Sequence, residues 1–154
     1  MTHANTINFW LKNQDHFLGC FKPSNLPRFP NSFPKSLIIY INENGNDNIG
    51  HFVAVLLQKN YVIYFDSFGF KFILENIKQY LKSFYINVKI YSYMFPLQHV
   101  QSVKCAHFCT IFVLHVKNLK DFKKYLNIFQ KTNLLKNDDV LEFLFTMSYC
   151  YPMK

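Results

Sequence analysis

The alternation of apolar and polar positions divides the chain into a short series of predicted elements. Ile7, Phe9 and Trp10 give residues 5–13 the apolar content of a short opening helix. The stretch Lys22 to Pro34 holds Pro23, Pro27, Pro30 and Pro34, so it cannot form a regular helix and reads as an extended surface loop. Ser36–Ile41 is a continuous apolar run of the kind a buried strand shows. Asn42 to Gly50 is a polar, Asn-rich turn. His51–Leu57 and Tyr61–Phe65 are β-branched and aromatic, with only Gln58-Lys59-Asn60 between them, which predicts a hairpin. Phe72, Ile73, Ile77, Tyr80 and Leu81 fall at helical spacing and place a helix over 71–83. Asn87–Tyr91 reads as a further strand.

Cys105–Lys117 is apolar on nearly every side, the mark of a helix buried at the centre of a fold. Amphipathic helices follow near 119–130 and 137–147. No repeat or low-complexity segment divides the chain, so 1–154 is expected to be one domain. The class is α+β: a small mixed sheet packed against a central helix, with further helices around it. The central helix then brings its N-terminus close to strand ends.

Composition narrows the classes of function. Half of the 154 residues are apolar and 19% are aromatic, which excludes a mainly disordered chain. The mean hydropathy is -0.02, and the lysines interrupt every apolar run before it could span a bilayer. Met1 to Asn13 lacks a basic segment followed by a long apolar one, so no signal peptide is expected. The 17 Lys and Arg against 9 acids give a net charge of +8. Arg28 is the single arginine, and Lys, Asn, Ile, Phe and Tyr make up 72 residues. These are the residues of A/T-rich codons. Genome composition thus competes with selection for an acidic partner as the source of the charge; an excess gathered into a patch would attract nucleic acid without sequence preference, whereas codon bias would spread the lysines evenly as a solvated basic face.

Cys20, Cys105, Cys109 and Cys150 form no paired zinc spacing, so no metal site is expected. A secreted disulfide scaffold is denser in cysteine, which favours a reducing compartment.

The candidate chemistry gathers around one cysteine. Cys105 opens the central helix, where free backbone N–H groups, the helix dipole and the neighbouring Lys104 favour a thiolate. The same N–H groups can receive an oxyanion. The plainer alternative is a small buried hydrophobe. His51 opens the first hairpin strand and Asp66 follows the second, so antiparallel pairing brings both to one end of the sheet. A carboxylate there fixes the imidazole tautomer and raises its pKa; alternatively Asp66 only caps the turn. Gln98 lies seven residues before Cys105 and Gln101 four before it; either amide could donate to an oxyanion, or be an ordinary loop side chain.

Taken in order, His51, Asp66, Gln98 and Cys105 on strand, strand, loop and helix resemble the adenovirus-type cysteine proteases (adenain-like), including versions in large self-synthesising DNA transposons and related DNA viruses. The stretches that carry the resemblance are Phe17-Leu18-Gly19-Cys20-Phe21, Gly50-His51-Phe52-Val53-Ala54, Tyr64-Phe65-Asp66-Ser67-Phe68-Gly69, and Leu97-Gln98 with Ser102, Cys105, Phe108 and Cys109. They run from about residue 9 to 118; the C-terminal helices carry none of it. Three positions depart from the pattern. Ala106 replaces a Gly after the nucleophile, Phe52 replaces a Trp after the histidine, and Asp66 stands where adenain itself has Glu.

The resemblance implies a cysteine endopeptidase that cleaves viral or transposon-encoded precursor proteins during particle maturation. Cys105 would be the nucleophile, His51 the base and Asp66 its orienting partner; Gln98 and the Cys105 N–H would form the oxyanion hole. It implies no cofactor for the chemistry itself, with DNA or an activating peptide as stimulators, the latter bonded through a cysteine for which Cys20 and Cys150 are candidates. Protein precursors would be the partners, together with non-specific DNA and without a membrane. The molecule would be a monomer in the host nucleus, the cytoplasm or the virion. Two alternatives stand beside this reading. One is a deubiquitinase or ubiquitin-like-modifier protease of the same clan, although Lys104-Cys105-Ala106 departs from the Asp-Cys-Gly usual there. The other is a non-catalytic basic module that binds DNA or capsid, for which a missing triad member would be expected.

Overall fold

The computed structural model describes residues 2–41, 50–70 and 72–149. Its elements are α1 (Ala4–Trp10), β1 (Phe17–Phe21), β2 (Lys35–Ile41), β3 (His51–Leu57), β4 (Tyr61–Phe65), α2 (Glu75–Phe84), β5 (Lys89–Ser92), α3 (Cys105–His115), α4 (Leu119–Ile128) and α5 (Lys136–Tyr149). The class is mixed α+β, as the apolar pattern implies. The polar turn expected at 42–50 lies, except for Gly50, outside the described residues.

The strands form one sheet in the order β1-β2-β3-β4-β5. β3 runs antiparallel to β2 and β4 on either side of it, while β1 and β5 join the two edges in parallel. Both faces of the sheet are covered, and the period-2 alternation of side chains sorts the apolar residues between them. Ile38, Ala54, Leu56, Ile63 and Phe65 face one core with α3, α4 and α5. Leu37, Ile39, Val53, Val55, Leu57, Val62 and Tyr64 face the other, closed by Ile77 and Leu81 of α2 and by Leu26, Phe29 and Phe33 of the proline-rich loop. A central strand buried on both faces reads as an unbroken apolar run, which is why β2 and β3 do so.

Helix α3 lies on β3 and is buried around most of its circumference, from Ala106 through Val113 apart from His107. Phe65 of β4 stacks on Phe112 of α3 at 5.3 Å between ring centroids, and Phe122 and Tyr125 of α4 meet the same pair edge-on. These contacts fix the height of α3 over the sheet and so place Cys105 beside the strand ends. No described helix is long and apolar enough to cross a membrane.

Three expectations needed adjustment. The opening helix stops at Trp10, because Leu11 leaves helical geometry ahead of the polar Asn13-Gln14-Asp15. The second helix begins only at Glu75, after an extended Leu74. Strand β1 was not evident in the apolar pattern. Its five residues are all only half-buried, and Gly19 has φ +135, so neither alternation nor β-propensity marks it. Its parallel pairing with β2, broken by a register shift between Phe17 and Cys20, holds it in place.

Candidate active site

Strand β3 begins at His51 and β4 ends one residue before Asp66, so the hairpin sets the two side by side. The His51 Nε2–H donates to Asp66 Oδ1 at 2.7 Å. The same oxygen accepts from the Phe68 N–H at 2.9 Å, which locks the carboxylate against the turn behind it. With Nε2 held by the carboxylate, Nδ1 is left for the helix side, where the Cys105 thiol lies close enough to raise the imidazole pKa. Nδ1 is buried and, among the described residues, closes no hydrogen bond of standard geometry. A loose contact of this kind between nucleophile and base is common before substrate binds.

Burial by itself would lower the His51 pKa. The hydrogen bond to Asp66, the adjacent Cys105 thiol and the negative charge of both partners outweigh it and bring the value up to about 9. Phe68 packs against the ring at 4.9 Å between centroids, with Phe70 at 6.4 Å beyond, and the two form an aromatic wall. Phe52, in the position where the resemblance leads one to expect Trp, is buried against Tyr40.

Cys105 is the first residue of α3, and Lys104 before it supplies no side-chain cap. The N-terminal N–H groups of a helix have no partner within the helix and point at whatever occupies that end. Ala106 is 1% exposed and leaves the helix start intact. His51, Cys105 and Ala106 share a cleft of about 310 Å³ with Phe52, Phe68, Gln98, Ser102 and Val103, and Thr2 reaches its rim. The ionisable side chains of its described lining are His51, Cys105 and Tyr40.

Gln98 lines this cleft and is 1% exposed, whereas Gln101 faces solvent. The Gln98 Nε2 donates to the Ser102 carbonyl at 2.9 Å, and its Oε1 accepts from the Ser67 hydroxyl at 2.5 Å. The loop that presents Gln98 is fastened from two sides. The Leu97 and Gln98 N–H groups both donate to the Ser67 carbonyl at 2.9 Å. From α5, the buried Asn137 donates to the Leu97 carbonyl at 2.7 Å, and Asp138 accepts from the Ser102 hydroxyl at 2.8 Å. The C-terminal helix, which carries no recognisable motif, therefore shapes the cleft. Sequence reasoning missed Asn137 and Asp138 as supports, and their clustering with Asp139 at a helix start offers only a capping signal.

Gly69 is needed for the same junction. Its φ of +70 lies in the left-handed region, and a Cβ there would come within 2.3 Å of the Phe95 carbonyl carbon. Gly69→Ala is expected to lower stability by about 1–3 kcal/mol through overpacking against backbone. Thermal unfolding measures this, and an unchanged midpoint would mean that the Asp66–Gly69 turn does not clamp the Phe95-Pro96 segment.

The remaining histidines have other duties. His16 hydrogen bonds to the Val113 carbonyl at 2.8 Å, and His99 Nδ1 accepts from the Gln101 N–H. His107 sits between Trp10 and Phe145; burial, with the positive Lys104 adding to it, lowers its pKa to about 4. Cys20 is half-buried in β1, and burial pushes its thiol up to about 12. Cys150 lies outside the described residues. Among the described residues no group of three or more His, Cys, Asp or Glu could hold a metal ion.

Cys109, one turn beyond Cys105, is fully buried, and burial raises its pKa well above the ordinary thiol value. Iodoacetamide is therefore expected to label Cys105 rapidly and Cys109 only on unfolding. Peptide mapping of the alkylated native protein checks this; equal labelling of both would mean that α3 is not buried as described.

No protein-family model matches this chain, and no curated protein sequence does. Among solved structures it is similar to the ASFV pS273R protease, at 14% identity and a TM-score of 0.49. The match covers 92% of this chain and 63% of that one, so this chain spans less than two thirds of its length.

Proposed function

We propose that this protein is a cysteine endopeptidase. The observation that carries the reading is the single cleft in which Asp66 orients His51, Nδ1 of His51 turns toward Cys105 at a helix N-terminus, and the Gln98 amide lies alongside. In this mechanism the Cys105 thiol passes its proton to His51 Nδ1. The resulting Sγ thiolate attacks the scissile carbonyl carbon, forming a C–S bond while the carbonyl oxygen takes the negative charge. The Cys105 N–H and the Gln98 amide N–H stabilise that oxyanion. Collapse breaks the C–N bond, and the imidazolium gives its proton to the departing amine. Neutral His51 then takes a proton from water, the hydroxide adds to the thioester, and Cys105 leaves as the thiolate. Asp66 holds Nε2–H throughout and keeps the ring in the productive tautomer.

The apolar cleft lining favours uncharged side chains next to the scissile bond. The resemblance of the motifs to the adenovirus-type proteases supports the narrower reading that the substrates are precursor proteins of a particle. The test is incubation of the chain and its Cys105→Ala variant with such precursors, reading new N-termini by mass spectrometry. New termini that depend on Cys105 support the proposal; identical digests from both proteins sink it.

The pH dependence has a definite sign. His51 must carry a proton to serve as acid, and its pKa is raised from 6.5 to about 9. Activity is therefore expected to persist well above neutral pH and to fall as pH rises through about 9. The part of the stability that comes from the charged His51–Asp66 pair is fully present below pH 6.5 and is lost over the same alkaline window. A pH–rate profile checks the first statement; an alkaline limb near pH 6.5 would show that Asp66 and Cys105 do not stabilise the imidazolium.

A further inference from the structure

We infer that Ser67 is a positioning residue that holds the Gln98 amide with its donor end toward the oxyanion; the inference rests on the endopeptidase reading above. A glutamine amide presents a donor end and an acceptor end of nearly the same shape. Turned the wrong way, Oε1 would repel the negative oxygen that Nε2 is meant to stabilise. The orientation has to come from neighbours that distinguish the two ends.

The Ser102 carbonyl does so, and the Ser67 hydroxyl holds the amide in the orientation that the carbonyl selects. The Ser102 carbonyl can only accept, so it takes Nε2–H at 2.9 Å. On the other side, the Ser67 hydroxyl donates to Oε1 at 2.5 Å, inside the fully buried region beneath the cleft. The second Nε2–H has only a longer 3.4 Å contact to Ser102 Oγ as a competitor. That hydroxyl donates to Asp138 and accepts from the Lys104 N–H at 3.2 Å, so only its second lone pair meets the Nε2–H. One amide hydrogen is thus anchored, and the other is held only by a long contact that a charged oxyanion outcompetes.

Ser67 acts through its backbone as well. Its carbonyl receives the Leu97 and Gln98 N–H groups, so the same residue places the loop and orients the side chain at its tip. The sequence order gives this arrangement its economy. Asp66 bonds to His51 while Ser67, the next residue, bonds to Gln98. The bend after β4 is closed by the Gly69 N–H to the Asp66 carbonyl at 2.9 Å, and its two adjacent side chains support two different residues of the cleft lining.

Removal of the Ser67 hydroxyl leaves Oε1 a buried acceptor with no other partner among the described residues, and the amide gains freedom to turn. The test is Ser67→Ala in the full chain, with kcat and KM measured beside Gln98→Ala and the double variant. The expected result is a fall in kcat of about 10- to 100-fold, of the size that small misplacements cause, with KM within about twofold. In the Gln98→Ala background the Ser67 change should cost nothing further, because its target is gone. Losses that multiply, or a Ser67→Ala protein with kcat within twofold of the parent, would overturn the inference. Should Ser67→Ala not fold, Ser67→Cys keeps a side-chain donor, weaker and somewhat larger, and is expected to show the same pattern with a smaller loss. The side-chain amide pair of Gln98 in a nitrogen–proton correlation spectrum gives a readout independent of turnover. It should shift toward the free-glutamine position in either Ser67 variant, and an unmoved pair overturns the inference. If cleavage proves independent of Cys105, the endopeptidase reading fails, while the spectrum still decides whether Ser67 orients the amide.

Discussion

Cys105→Ala is expected to reduce kcat by about 10⁶-fold, to the level set by binding and oxyanion stabilisation alone. His51→Ala should cost a similar amount, and the double variant no more than either, because the two groups act as one unit: the thiolate exists for attack only with the proton on Nδ1. Half-buried Cys105 contributes little packing, so the alanine variant should unfold near the wild-type temperature. Rates from peptide cleavage, with thermal unfolding alongside, make the measurement. Cleavage that survives Cys105→Ala above a hundredth of the parent rate, or single losses that multiply in the double variant, would remove Cys105 and His51 as a catalytic pair.

Gln98→Ala is the second large effect. Loss of one oxyanion donor costs about 10²- to 10³-fold in kcat, or roughly 2.7–4 kcal/mol of barrier, with KM nearly unchanged. The buried setting adds a stability cost that an exposed loop side chain would not carry. Ser67 Oγ would lose its acceptor and the Ser102 carbonyl its donor, which amounts to about 1–3 kcal/mol for each buried group left unpaired. Gln101→Ala, at a solvent-facing position, should leave both quantities unchanged. A larger kinetic loss from Gln101→Ala than from Gln98→Ala would reverse the assignment between the two amides.

The supports of Gln98 also explain why the C-terminal helices looked idle in the sequence. Nothing about Asn137 or Asp138 distinguishes them from ordinary first-turn residues of α5. Asn137 is nevertheless completely buried, and it bridges the Leu97 carbonyl to both backbone groups of Gln130. A polar side chain with that burial must satisfy its hydrogen bonds internally, and the groups that do so come from segments seven and forty residues away.

The sequence alone determined the features that depend on local order and period. The His51–Phe65 hairpin was legible because a short connection between two apolar runs calls for antiparallel pairing, which already brings His51 and Asp66 to one sheet end; the register itself, Leu57 opposite Val62, came with the fold. The buried α3 was legible because apolar residues surround it on nearly every side, which also put Cys105 at a helix start. Tertiary structure decided the rest. Strand β1 owes its existence to the neighbouring edge of β2 rather than to its own half-exposed residues. The choice between Gln98 and Gln101, and the orientation of the chosen amide, follow from Ser67 on β4's turn and from Ser102, itself held by Asp138 of α5. A period reports which face of an element is apolar; it carries no information on which distant hydrogen-bond partner will meet a buried polar side chain, and that pairing is set only when the elements pack.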